Sequence, residues 1–489
     1  MSKFYITTTL PYVNDRPHMG HALEFVLADI IARYQKDVLE NDVFFNTGTD
    51  EHGLKVYRKS REEGLSEQAF TDKYAEIFKE ALKAGGGMNI RYTKFTRTTD
   101  PAHEAAAQEF WKRCEQNGDI YKKTYQTNYC VGCELEKTDS ELVNGKCPLH
   151  PNLSIEQIDE ENYFFRWSKY QQPLLDFYKQ NPDFVVPASR FHEITKFVEM
   201  GLEDFSISRL KEKMPWGVPV PGDEAHVMYV WFDALVNYIS TLGWPQDEQA
   251  FADFWGTQDH RIAVQVAGKD NLRQQSAMWQ AMLMSAGVPN AKQIIIHGFI
   301  TSGGVKMSKT TGNVIDPMDV IKQYSPDALR YFLAREITTF EDSDFTWDRF
   351  MSSYQSGLAN GLGNLVSRVL KMAVMSDITS VEQNERVAFD EKLTKQKFHD
   401  AMDVYNVKAA TDVVWEAIAV TNKFIEETEP FKKIKVDPET AKKDIATLLS
   451  SIQKINAYLK PLMPETAEKI EKQFAGPKIK SEKPLFPRK

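Results

Sequence analysis

The chain has 489 residues, a net charge of −9 from 60 Lys and Arg against 69 Asp and Glu, and four cysteines. That length exceeds a single core and calls for about two to four domains, and the acidity excludes a protein coated in nucleic acid. Four cysteines exclude a disulfide framework and point to a reducing, cytoplasmic setting; no run is long enough to cross a bilayer, and no signal peptide precedes the first strand.

In chain order, Phe4–Leu10 is β-branched and aromatic and reads as a strand. Leu23, Val26, Leu27, Ile30, Ile31 and Tyr34 recur at helical spacing, with Pro17 expected at the first helical position. His18, Gly20 and His21 are therefore expected on the first turn of a helix that follows a strand. DVFFNTGTD reads as a strand, followed by one long polar helix to about Ala84, a strand at Tyr92–Thr96 and a helix from Pro101. This is the β-α-β-α order of a parallel sheet with crossovers. From Asp119 to Pro221 the chain reads as irregular, carries the cysteine cluster and ends in the punctuated linker WGVPVPGD. RIAVQVAGKD and QIIIHGF, with a helix between them, restore the pattern. Beyond Met351 strands vanish, and 352–375, 389–403, 405–429, 438–458 and 463–473 read as amphipathic helices.

The fold class is thus α/β: a Rossmann-like parallel sheet interrupted by an insertion and followed by an all-α bundle. The expected boundaries are 1–118 and 222–300 for the two halves of the sheet domain and 119–221 for the insertion. Residues 301–350 form a connecting region, 351–475 the bundle, and 476–489 a basic tail that reads as a frayed, solvated end.

Two motifs carry chemistry. A helix N-terminus with two histidines at i and i+3 suits phosphate, and Gly20 between them lets a flat base approach the backbone. In SGGVKMSKTTGN, Lys306 and Lys309 bring two ammonium groups close together on a glycine-rich loop, as a polyphosphate leaving group requires. Alone, such histidines are more often surface or core residues, and such lysines are usually only solvated. Both motifs in one α/β chain, about 290 residues apart, are a much stronger signal.

Cys130, Cys133, Cys147 and His150 follow the pattern C-x2-C, thirteen residues, C-x2-H, which closes a tetrahedral site for one structural zinc ion. A redox C-x-x-C is the competing reading; the second pair and the missing βαβ context count against it. Cys114 is expected to be a buried thiol.

With these residues in view, the chain resembles the class I aminoacyl-tRNA synthetases. His18-Met19-Gly20-His21 looks like their HIGH signature, and Lys306-Met307-Ser308-Lys309-Thr310 looks like KMSKS with Thr for the last Ser. LPYVN, GTDEHG, VWFDALVNY, GKD, HGF and DALRYFL resemble blocks of the methionine-specific branch, in order along almost the whole chain. The resemblance implies activation of L-methionine by ATP to an adenylate and pyrophosphate, then transfer to the 3′-terminal ribose of tRNA(Met), for initiation and elongation.

The resemblance also implies roles for residues. His18 and His21 serve the phosphates, Lys306 and Lys309 the pyrophosphate, with magnesium accompanying ATP. Gly20, Glu24, Gly268, Asp270 and His297 bind ATP. Asp50 pairs with the methionine ammonium, and Leu10, Tyr12, Trp231, Ala234, Tyr238, Gln275 and Trp279 wall its pocket. Without the resemblance, Trp231 and Tyr238 read as core residues. Gln275 stands where the family usually has His; its amide can donate a hydrogen bond but carries no titratable proton. The zinc knuckle lies over the acceptor end of the tRNA, and residues 301–350 contact its stem. Asn364 and Arg368, one turn apart, match anticodon-contacting positions, and Phe431 stands where the family stacks a tryptophan on a base. No membrane partner and a monomer are expected.

Three rival readings remain. A sister synthetase with an editing domain needs a larger insertion than about 100 residues. A small HxGH nucleotidylyltransferase lacks the lysine loop and the bundle. A non-catalytic tRNA-binding paralogue would tolerate loss of the signature residues.

Overall fold

The computed structural model describes residues 1–133, 135–137, 139–307, 314–378, 386–475 and 479–489. Contacts divide the chain into two compact units: one of Met1–Pro17, Asp42–Glu80 and Tyr92–Ile296, the other of His18–Asn41, Ala81–Arg91 and His297–Lys489.

The first unit is built on a six-stranded sheet in the order Lys94–Arg97, Asp42–Thr49, Lys3–Thr7, Val264–Gly268, Gln293–His297, Val185–Val186. Lys3–Thr7 pairs in parallel with both its neighbours. Phe4, Tyr5 and Ile6 are all buried, the continuous apolar run of a strand covered on both faces. Strands that follow the first one in sequence extend the sheet on one side and later strands extend it on the other. The order therefore reverses between Lys3–Thr7 and Val264–Gly268, which creates a crevice at their carboxyl ends. Phe110, Trp111, Tyr238, Trp255 and Trp279 fill the core beside the sheet.

The stretch 119–221 is ordered rather than irregular. Ile120–Cys130 and Glu156–Phe165 form a long antiparallel pair, from Ile120 opposite Phe165 to Tyr129 opposite Glu156. Its strands mix charged, polar and aromatic residues, so no clean alternation marks them in the sequence. Within the same stretch, Val185–Val186 joins the main sheet beside Gln293–His297, between helices Gln171–Gln180 and Ala188–Glu199. The single polar helix expected up to Ala84 is also two, Leu54–Glu62 and Glu67–Leu82, broken where Gly64 adopts φ +68°.

The second unit begins with helix Met19–Arg33, buried on nearly every face. A small sheet, with Ile300–Ser302 between Val305–Lys306 and Ser343–Asp344, packs on this helix through Ile300–Ser302. Helices Asn364–Met375, Glu391–Asp403, Val407–Thr428, Pro438–Leu462 and Pro464–Phe474 follow the expected amphipathic segments, and Trp347–Ser353 and Pro430–Val436 are additional ones. Among the described residues no helix is long and apolar enough to cross a membrane.

The tail departs from its reading as a frayed end: Ile479 and Phe486 are buried, and Tyr354 Oη donates to the Pro487 carbonyl at 2.9 Å. Two large apolar side chains among the lysines supply the anchoring that composition alone obscures.

A buried ion network ties this unit together. Asp29, fully buried, sits 2.7 Å from both Arg33 Nε and Arg330 Nη1 and accepts the Arg91 amide at 2.7 Å. Arg330, also fully buried, donates to the carbonyls of Leu462 at 2.9 Å and Pro461 at 3.0 Å, at the end of helix Pro438–Leu462. Burial alone would raise the Asp29 carboxyl, but Arg330 and Arg33 outweigh it and hold it below the usual carboxylate range. Arg330→Ala is therefore expected to cost about 3–5 kcal/mol, measured as a lower urea midpoint, because Asp29 and two helix-end carbonyls lose a buried partner. The Asp29 contribution is complete above the ordinary carboxylate pKa and is lost only as pH falls through its lowered folded value, which a pH series of midpoints will register.

Candidate functional site

His18 is the N-cap of helix Met19–Arg33 rather than a residue of its first turn, and Pro17 precedes the cap. Its Nδ1 accepts from the amides of Gly20 at 3.1 Å and His21 at 3.3 Å, while His21 Nδ1 accepts the His18 amide at 3.3 Å. The two imidazoles stack with centroids 3.7 Å apart and planes 9° apart. The helix-end amides expected to meet phosphate are thus partly taken by the histidines themselves. Because both Nδ1 atoms accept, the neutral rings carry their protons on Nε2. Burial and the neighbouring His18 ring hold His21 well below the usual histidine range. Gly20 suits this position, since a Cβ would lie 3.0 Å from the His18 ring and press on it.

One turn on, Glu24 Oε2 lies 3.1 Å from His297 Nε2, and His297 Nδ1 is 2.8 Å from the Gly298 carbonyl. Both His297 ring nitrogens thus face oxygen atoms. Three residues along, Ile300–Ser302 touches the histidine helix and pairs with Val305–Lys306, so the backbone of Lys306 is tethered to that helix through one strand. Lys309 and Thr310 lie outside the described residues.

In the sheet unit, several expected residues sit beyond the carboxyl ends of the strands. Leu10 and Tyr12 follow Lys3–Thr7, Asp50 follows Asp42–Thr49, and Asp270 follows the terminal Gly268 of Val264–Gly268, exposed on a short turn. Asp50 is tied to the first of these segments: its amide donates to the Pro11 carbonyl at 2.9 Å, and its carbonyl accepts the Val13 amide at 3.1 Å. Tyr238, Gln275 and Trp279 are buried together. Gln275 Nε2 donates to Tyr238 Oη at 2.6 Å, and the Tyr238 and Trp279 rings are 6.0 Å apart. Gln275 Oε1 and Trp279 Nε1 find no hydrogen-bond partner among the described residues, an expensive state unless a ligand or water meets them. Trp231 and Ala234 lie on the short helix Val230–Ala234.

Sequence reasoning missed a buried group in this unit. Asp233, between Trp231 and Ala234, takes His52 Nδ1 at 2.9 Å and His103 Nε2 at 3.3 Å. A charged residue inside the apolar run VWFDALV was the available signal.

Cys130, Cys133, Cys147 and His150 converge at the end of the long antiparallel pair, their ligand atoms all within 4.8 Å of one another. Cys133 Sγ lies 3.5 Å from Cys147 Sγ and 3.2 Å from His150 Nδ1, and Cys130 Sγ lies 3.8 Å from His150 Nδ1. Zinc–ligand bonds of about 2.0–2.3 Å imply tetrahedral edges of about 3.3–3.8 Å, so the set fits zinc. Gly132 allows the closure, because a Cβ there would fall 2.5 Å from the His150 ring. Cys114 is buried on helix Pro101–Gln116, its thiol pushed up to about 12 by burial.

In the bundle, Asn364 and Arg368 are half-buried on one face of Asn364–Met375, and Phe431 stands 46% exposed on Pro430–Val436.

Comparison with known proteins agrees over nearly the whole chain. The family described as tRNA synthetases class I (M) matches residues 4–157 and 150–370, and the anticodon binding domain of methionyl tRNA ligase matches 375–483. The methionine–tRNA ligase of Thermosynechococcus vestitus is 41% identical over 96% of this chain and 90% of its own. That of Thermotoga maritima is 40% identical over 96% of this chain and 74% of its own. A Mycobacterium tuberculosis methionyl-tRNA synthetase in complex with methionyl-adenylate superposes with a TM-score of 0.91 at 32% identity, covering 100% of both chains.

The cysteine cluster makes a direct prediction. Elemental analysis of the purified chain is expected to find about one zinc per molecule, and Cys133→Ser to lose it and lower the first thermal transition, because the site closes only with all four ligands.

Proposed function

The chain belongs to the class I methionyl-tRNA synthetases, and we propose that it activates L-methionine with ATP and passes the methionyl group to the 3′-terminal ribose of tRNA(Met). The observation that supports this most is the tethering of the Lys306 strand to the helix capped by His18 and His21. It links the two motifs that a triphosphate requires.

In the first step a methionine carboxylate oxygen attacks the α-phosphorus of ATP, and pyrophosphate leaves. The carboxylate is already ionised at neutral pH, so no general base is needed, and catalysis is positioning plus charge stabilisation. The stacked rings of His18 and His21 offer Nε2–H donors to the phosphates, and Lys306 and Lys309 neutralise the pyrophosphate. Magnesium, arriving with ATP, would add its charge to that of Lys306 and Lys309 in neutralising the phosphates. Gly20, Glu24, Gly268, Asp270 and His297 serve the adenosine side; carboxylates suit ribose hydroxyls, which donate to them. In the second step a ribose hydroxyl oxygen attacks the adenylate carbonyl, the acyl–phosphate C–O bond breaks to release AMP, and the hydroxyl proton passes to the departing phosphate or to water.

Asp50 receives the methionine ammonium. Leu10, Tyr12, Trp231, Ala234, Tyr238, Gln275 and Trp279 take the side chain, with aromatic–sulfur contacts worth roughly 0.3–1.5 kcal/mol each. Zinc held by Cys130, Cys133, Cys147 and His150 is structural, since protein fills every position. Residues 119–221 meet the acceptor end, 301–350 the stem, and Asn364, Arg368 and Phe431 in 351–475 the anticodon. The enzyme works in the cytoplasm as a monomer.

Exchange of pyrophosphate into ATP tests the reading: it is expected with methionine and not with leucine, isoleucine or valine, and exchange driven by another amino acid overturns it. In the same assay Gln275→Ala is expected to raise KM for methionine about fivefold with kcat within about twofold, the worth of one buried hydrogen bond in ground state and transition state alike. An unchanged KM removes Gln275 from the pocket.

A further inference from the structure

Asp233 has no role in the reaction described above, yet it is fully buried among residues assigned to the methionine pocket. Both of its oxygens are engaged, by His52 Nδ1 at 2.9 Å and His103 Nε2 at 3.3 Å. His103 Nδ1 lies 2.9 Å from Ser240 Oγ, and His52 Nε2 lies 3.8 Å from Glu104 Oε1. The His52 ring also packs edge-on against Trp216 at 5.6 Å.

His52 stands two residues after Asp50, on a turn held from several sides. Between them Glu51 is buried and accepts from Arg97 Nε at 2.7 Å and Thr49 Oγ1 at 2.6 Å. The Glu51 carbonyl accepts Trp216 Nε1 at 2.6 Å. The His52–Asp233 bond joins this turn to the helix carrying Trp231 and Ala234. One contact thus couples the segment that bears the expected ammonium partner to the segment that bears the pocket wall. Burial alone would lower His52 and raise Asp233; their attraction outweighs it in both, so the two form an ion pair.

A methionine seated between Asp50 and the wall residues Trp231 and Ala234 has a second carboxylate beside it, because Asp233 lies between those two wall residues and is bonded to His52, two residues after Asp50. We propose, on the reading that Asp50 receives the substrate amine, that His52 neutralises Asp233 and His103 holds it in place, so that it does not compete with Asp50 for the ammonium. His52 is then a positioning residue, and Asp233 is the charge it masks. Their pairing keeps the amine on Asp50 and the methionine carboxylate in line with the α-phosphate.

Methionine-dependent pyrophosphate exchange by the full chain tests this. His52→Gln leaves a hydrogen-bonding side chain but exposes the Asp233 charge. It is expected to lower kcat about tenfold with KM within about threefold, because the amine still binds but is shared between two carboxylates. Adding Asp233→Asn removes the competing charge, and the double variant is expected to recover to within about threefold of the unmodified chain. Asp233→Asn alone is also expected to stay within about threefold. Its Oδ1 can accept from a neutral His52, and its Nδ2 can donate to His103, whose other nitrogen donates to Ser240.

A purely structural role gives a different pattern, in which the double variant is no better than His52→Gln, or Asp233→Asn is as damaging. Either result overturns the proposal, as does a His52→Gln enzyme that matches the unmodified one. If His52→Gln fails to fold, Asp233→Asn alone decides. Asp50→Asn checks the underlying reading separately: it is expected to raise KM for methionine about a hundredfold, and an unchanged KM overturns the role of Asp50 whatever the rescue pattern.

Discussion

The reciprocal cap made by His18 and His21 is the constraint on which the proposed chemistry of this chain rests. A buried helix must satisfy its first amides, and here the histidines do so through Nδ1, which places the protons of the neutral rings on Nε2. A lone imidazole on a surface turn samples many rotamers. These two are stacked and hydrogen-bonded to the backbone, so much of the ordering entropy is spent during folding rather than at binding. The arrangement also explains why glycine separates them, since any side chain there would press on the His18 ring.

The cap is only as rigid as its helix, and the helix owes its placement to charge as well as to apolar packing. Asp29 and Arg330 are fully buried, an arrangement that is costly unless every hydrogen bond is met. The Arg33 side chain, the Arg91 amide and the carbonyls that end helix Pro438–Leu462 supply those bonds. Within this unit, then, the helix that presents the histidines and the longest helix of the bundle share one ionic centre. A slip of either would leave a buried charge without its partner.

Much of this was legible in the sequence because it was written in periodicity. The apolar run of Phe4–Ile6, the helical spacing from Leu23 to Tyr34 and the amphipathic segments beyond Met351 each became the expected element. The cysteine spacing was legible because few geometries satisfy it. What escaped were features that depend on partners distant in sequence. Val185–Val186 is too short to be seen as a strand until it pairs with Gln293–His297, and the tail seemed solvated because its lysines outnumber Ile479 and Phe486. Composition averages over residues, whereas docking depends on two of them. Asp233 escaped for the same reason: its burial makes sense only when His52 and His103 arrive from elsewhere in the chain.

The cysteine cluster shows why a metal belongs in this part of the molecule. Beyond the pairing of Ile120–Cys130 with Glu156–Phe165, the segment between them has a three-residue strand, Leu135–Lys137, and exposed apolar residues such as Val143, Leu149 and Leu153. So short a segment buries too little apolar surface to offset its conformational entropy. Four ligands on one cation would replace that missing core. Gly132, pressed against the His150 ring, is the backbone feature that lets the first and last ligands close on the same point. A single ion can therefore order a segment that hydrophobic burial alone would leave loose, and the cluster's spacing is legible in the sequence because the coordination geometry leaves it little freedom.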